Sequence, residues 1–62
     1  MNWQEYIVST EDTLAGKPRV KGTRLSVEFL VGRLADGWTE EEILESYPTL
    51  NREALQAIYH YA

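Results

Sequence analysis

Four of the six basic residues in the chain lie within eight positions, as Lys17, Arg19, Lys21 and Arg24 of the stretch GKPRVKGTRL. On extended backbone, alternate side chains point the same way, so Lys17, Arg19 and Lys21 form a spaced positive row. Such a row suits phosphate oxygens or an acidic protein surface. It also suits an edge strand blunted with charge against aggregation, or a strand that pairs with its copy in a second subunit. A nucleotide-phosphate loop is excluded. The Gly-x-x-x-x-Gly-Lys-(Ser/Thr) spacing is absent, and Pro18 stands where a magnesium-binding hydroxyl belongs. A second constellation is Arg52, Gln56 and His60, spaced i, i+4, i+8 on one helical face. Arginine matches guanine and glutamine matches adenine in a major groove, although any amphipathic helix carries a polar outer face.

The remaining polar residues assemble no reaction centre. His60 is the single histidine and there is no cysteine, whereas metal binding and acid–base chemistry need partners. Glu40, Glu41, Glu42 and Glu45 read as a capped, solvated helix face. No nucleophile–base pair remains, so neither enzymatic activity nor a cofactor is expected.

A chain of 62 residues implies one domain over 1–62, near the lower size limit, which buries roughly 60% of its unfolded surface. With no disulfide to staple it, a homodimer is the expected route to added stability. The net charge is −4, distributed as −3 over 1–16, +4 over 17–24, −1 over 25–37 and −4 over 38–62. The overall field repels nucleic acid and leaves room for local contact by the basic segment. No apolar run approaches the ~20 residues that span a bilayer. The start of the chain lacks the pattern of a secretory signal, so a cytoplasmic protein is expected.

The elements that must position these residues are marked by their boundaries. Tyr6, Ile7 and Val8 predict a short strand. Gly16 and Pro18 mark a turn, and residues 18–25 predict a second strand or extended arm, placed at a sheet edge by Pro18 and Gly22. On it, Arg19, Lys21 and Thr23 take one face and Val20, Gly22 and Arg24 the other. Three helices follow. The first runs from an N-cap at Ser26 to a C′ glycine at Gly37, with Val27, Leu30, Val31 and Leu34 as its core stripe. Gly32 in its interior is expected to allow a close helix crossing. The second spans about 39–47, with a Thr39–Glu42 capping box, Ile43, Leu44 and Tyr47 inward, and Pro48 as terminator. The third starts at an Asn51 N-cap and buries Leu55, Ile58, Tyr59 and Ala62. Each helix start carries an apolar staple: Leu25 with Leu30, Trp38 with Ile43, and Leu50 with Leu55. The expected fold is mostly α: short N-terminal β-strands or an extended arm over 1–25, then a tri-helical helix-turn-helix core over 26–62, homeodomain-like or winged-helix-like. In that motif the second helix of the pair lies in the DNA major groove.

Gly16, Pro18, Val20, Gly22, Thr23, Arg24, Leu25 and Val27 follow the pattern Gly-x-Pro-x-(Ile/Val)-x-Gly-Thr-Arg-(Ile/Leu)-x-Val. Leu34, Ala35, Gly37, Thr39, Glu41 or Glu42, Ile43 and Leu44 continue it, then Tyr47, Pro48 and Leu50, then Tyr61 and Ala62. In these residues the chain closely resembles the bacterial domain-of-unknown-function family 433, over nearly its whole length. The resemblance implies a homeodomain-like or winged helix-turn-helix domain. Many members are encoded beside PIN-type nucleases, which implies an antitoxin that binds and neutralises a PIN-like ribonuclease toxin, with operator DNA as a further partner. The alternatives are a free-standing DNA-binding regulator and a dimerisation module without DNA binding. Asn51 and Ala54 depart from the family pattern, which has Thr and then an acid. The cap survives this change, while the surface of the third helix is altered. The residues expected to touch DNA or a partner are Lys17, Arg19, Lys21, Arg24, Arg52, Gln56 and His60.

Overall fold

The computed structural model describes residues 1–61; Ala62, expected in the core stripe of the last helix, lies outside the described residues. Two short antiparallel strands precede three helices. Strand β1 (Ile7–Val8) pairs with β2 (Arg19–Val20), Ile7 opposite Val20 and Val8 opposite Arg19. Helices α1 (Val27–Ala35), α2 (Glu40–Ser46) and α3 (Arg52–Tyr61) follow. One-turn 3-10 segments at Trp3–Glu5 and Leu14–Gly16 flank β1 and β2.

The anticipated caps set the helix starts. The Phe29 N–H donates to Ser26 Oγ at 2.9 Å. Thr39 and Glu42 exchange both capping-box bonds, at 3.1 and 2.9 Å. The Ala54 N–H donates to Asn51 Oδ1 at 2.8 Å. Each such cap contributes about 1 kcal/mol. Gly37, just past α1, takes φ 95°, the left-handed geometry that ends helices. The turn over residues 47–51 joins α2 to α3 in helix-turn-helix order.

Ile7, Val20, Val27, Leu30, Ile43, Leu50, Ala54, Leu55, Ala57 and Ile58 form one buried core. All six staple residues lie in it or pack against it. Helix α3 is central, packing against α2, β1 and the Trp3–Glu5 turn. Trp3 meets Tyr61 edge-on, with ring centroids 4.9 Å apart.

Three expectations are corrected. Tyr59 is 46% exposed, and Ala54 and Ala57 are buried in its place. The N-terminal turn and β1 pack on α3, and Ile7 of β1 shares the buried core with these alanines, whose small side chains permit close approach. Val31 is 39% exposed, because the buried face of α1 centres on Val27 and Leu30, which leaves Val31 at the rim of an open depression with Pro18 and Tyr61. A Cβ added to Gly32 would meet nothing within 4 Å, so among the described residues no helix crosses α1 closely there.

The basic segment is also not an edge strand. Strand β2 is bonded on both sides. Lys21 N–H donates to Tyr6 O at 2.8 Å, Val20 N–H to Leu25 O at 3.0 Å, and Val27 N–H to Pro18 O at 2.9 Å. Residues 18–27 therefore form a tight hairpin, and β2 offers no free edge to a second copy.

Candidate partner-binding surface

The hairpin turns at Lys21-Gly22. The Thr23 N–H donates to Val20 O at 3.0 Å, and Gly22 takes φ 81°, as the third residue of a type II turn requires. The Thr23 hydroxyl donates to Val20 O at 2.8 Å and accepts from the Leu25 N–H at 3.1 Å. The Gly-Thr pair thus builds the corner that returns the chain to α1.

That corner sorts the four basic residues. Arg19 is half-buried. Its guanidinium donates to Thr23 O at 3.2 Å and to Thr10 Oγ1 at 3.1 Å, clasping the hairpin to the preceding loop. It does not point outward as the alternating pattern implied. Lys21 is exposed. With Thr49 and Asn51 it lines a shallow depression of about 170 Å³ beside the start of α3. Lys17 and Arg24 are exposed and line one groove of about 500 Å³, with Leu14, Ala15, Leu25, Ser26 and Phe29. Lys17 Nζ lies 3.9 Å from Glu28 Oε2, with both side chains well exposed at 58% and 82%. Arg24 has no hydrogen bond or ion pair among the described residues.

One wall of this groove carries unusual backbone. Leu14 and Ala15 take φ 54° and 53°, a left-handed geometry costing about 1–2 kcal/mol for a residue with a Cβ. Strain of this kind concentrates at ligand clamps and switch segments. Phe29 forms the opposite side. Its ring meets Tyr47 edge-on at 5.8 Å, and the Arg33 guanidinium lies 4.8 Å from the Phe29 centroid and 5.1 Å from that of Trp38. Sequence reasoning missed Leu14, Ala15, Phe29 and Arg33. Phe29 did carry a signal, as a large apolar residue outside the predicted stripe of α1.

The α3 constellation divides too. Gln56 and His60 are exposed and share a face, as their spacing dictates. Arg52 donates to Glu40 Oε1 at 3.3 Å, while the Tyr59 hydroxyl donates to Glu40 Oε2 at 3.0 Å. One carboxylate of α2 therefore holds two residues of α3. The Tyr59 phenol is pushed above its ordinary value of 10.0, first by desolvation, then by its hydrogen bond to Glu40 and by the carboxylate's charge. Among the described residues, no group of three or more histidine or carboxylate side chains is placed to hold a metal ion. No helix among them is long and apolar enough to cross a membrane.

The sequence profile of DUF433, "Protein of unknown function", matches residues 7–62. The chain belongs to DUF433. The "Uncharacterized protein y4eO" of Sinorhizobium fredii is 36% identical over 59 residues, covering 95% of this chain and 27% of that protein. A crystal structure of a DUF433 member from Anabaena variabilis superposes with a TM-score of 0.89 at 36% identity, over 94% of this chain and 57% of that one. The two-strand, three-helix arrangement is therefore that of a solved DUF433 fold. The chain spans about a quarter of the curated relative and little more than half of the solved one.

Proposed function

We propose that this DUF433 domain is a cytoplasmic, non-catalytic partner-binding module of the antitoxin type, whose partner is a PIN-like ribonuclease that it silences. The observation that carries this reading is the sorting of the cations. Lys17 and Arg24 converge on a groove with an apolar floor, whereas Arg52, the single cation on the outer face of α3, is engaged by Glu40. Protein interfaces combine aromatic and arginine anchors with a polar rim. Nucleic-acid phosphates need charge and no apolar floor. Exposed Val31 and Tyr61 also leave surface for a homodimer. Co-expression with the product of the adjacent gene tests the reading. A stable complex with suppressed ribonuclease activity is expected; absence of a neighbouring nuclease together with an empty pull-down refutes it.

Operator DNA is the second reading, favoured by exposed Gln56 and His60 on α3 and by Lys21 beside its first turn. It predicts a mobility shift on the protein's own promoter that weakens steeply with salt and with Lys21→Ala. No shift at low salt refutes it and leaves partner binding alone.

A further inference from the structure

We infer that the groove between the Leu14–Gly16 turn and the start of α1 receives an acidic peptide segment carrying one large apolar side chain. This rests on the partner-binding reading and specifies its surface and the chemistry of its occupant. The floor is apolar: Leu14, Leu25 and Phe29 line it, and Phe29 remains 38% exposed while Val27 and Leu30 on the same helix are buried. Its volume of about 500 Å³ falls within the ~300–1,000 Å³ of ordinary ligand pockets, room for one aromatic or branched side chain and its backbone.

The rim selects the sign of the occupant. Arg24 has no partner among the described residues, and Lys17 faces only the long, exposed contact to Glu28, a pair that exchanges readily for another carboxylate. The chain as a whole carries −4, so acidic segments are repelled by most of its surface, and the Lys17–Arg24 rim is where positive charge and an apolar floor coincide. Electrostatic complementarity of that kind fixes orientation. The left-handed Leu14 and Ala15 supply a third observation, since the strained backbone lies in the groove wall itself.

The test is a titration of the ¹⁵N-labelled full chain with three short synthetic peptides. The first is rich in Glu and Asp around a central Phe, the second has Ser in place of that Phe, and the third has Lys in place of every acid. Saturable shifts of amides 14–17 and 24–29 with the first peptide alone are expected, and Arg24→Glu weakens them by about tenfold with an unchanged melting temperature. Shifts confined to α3, equal binding of the Lys peptide, or indifference to the central Phe overturn the inference. So does a DNA duplex that moves the same amides as tightly, or self-association that buries the groove in a second copy. Repeating the co-expression with Arg24→Glu and Phe29→Ser separates the two levels of argument. If both variants retain the nuclease as the wild type does, the groove inference falls and the partner-binding reading stands. If no form binds a nuclease and the peptide still maps to the groove, the reading falls and the inference stands.

Discussion

Replacing Gly32 by alanine should stabilise this domain, although reading that glycine as the site of a close helix crossing invites the opposite expectation. Gly32 lies within α1 and is exposed. An added Cβ meets no atom within 4 Å, and its φ is not in the left-handed region. The methyl group therefore introduces neither clash nor strain. One term favours it: the helix propensity of alanine over glycine, about 0.8–1.0 kcal/mol, which already contains the reduced freedom of the unfolded chain. The expected gain is about 1 kcal/mol, against a total stability of roughly 3–9 kcal/mol for a chain of this size. In a domain of this size it raises the melting temperature by about 4–8 °C. Urea unfolding followed by tryptophan fluorescence should show a higher midpoint with an unchanged slope. Gly22→Ala is the matched control. The same methyl there is forced into φ 81° and should cost about 1–2 kcal/mol. Opposite signs from one chemical change isolate backbone geometry as the cause. A Gly32→Ala protein no more stable than the wild type would refute the reasoning, and would mean that this face of α1 is covered in solution.

Further outcomes follow from individual contacts. Glu40→Ala removes the acceptor of both Arg52 and Tyr59 and should cost about 1 kcal/mol in urea unfolding, since exposed pairs are weak; if DNA is a ligand, the released Arg52 should also strengthen a mobility shift. The raised Tyr59 phenol stabilises the fold fully below its ordinary value of 10.0. Above that pH the unfolded chain ionises first, so stability falls as pH climbs through the higher folded value. Urea midpoints measured across this range should fall less steeply in Tyr59→Phe than in the wild type. Ala15→Gly relieves a left-handed alanine and should gain about 0.5 kcal/mol after the extra unfolded-state freedom is counted. Arg19→Lys cannot reach Thr23 O and Thr10 Oγ1 together as the guanidinium fork does, and should cost about 1 kcal/mol.

The helix boundaries were legible because a cap is a local device. Ser26, Thr39 with Glu42, and Asn51 each act within three residues, so the sequence window contains both partners of the bond. The buried face of α3 was not legible in the same way. Large apolar residues at 55, 58 and 59 draw the predicted stripe toward Tyr59. The true face is set by which elements arrive, and these come from the other end of the chain: Trp3 against Tyr61, and β1 against α3, with Ile7 in the same core as Ala54 and Ala57. Alanine adds little to a periodicity count, yet it is what close packing against a backbone requires. Tyr59, displaced from the core, finds Glu40 instead. The left-handed Leu14 and Ala15 had no sequence signal, since residues with a Cβ avoid that geometry and only the surrounding fold imposes it.

The candidate site shows how far charge spacing carries and where it stops. On a straight strand, Lys17, Arg19 and Lys21 would share one face, and Arg24 would lie on the other. Lys17 and Arg24 would stand about 23 Å apart at roughly 3.3 Å per residue. The chain instead reverses at Gly22, a turn whose glycine and threonine were visible in the sequence. Pro18 comes opposite Val27 and Arg19 opposite Ser26. Arg19, caught between the strands and the 10–13 loop, becomes a structural clasp. Lys21 is carried toward α3, while Lys17 and Arg24, the pair that parity separates, meet at one groove. The positive charges that act together are thus decided by where the backbone turns. A glycine with φ 81° matters as much to the electrostatics of this surface as the lysines and arginines themselves.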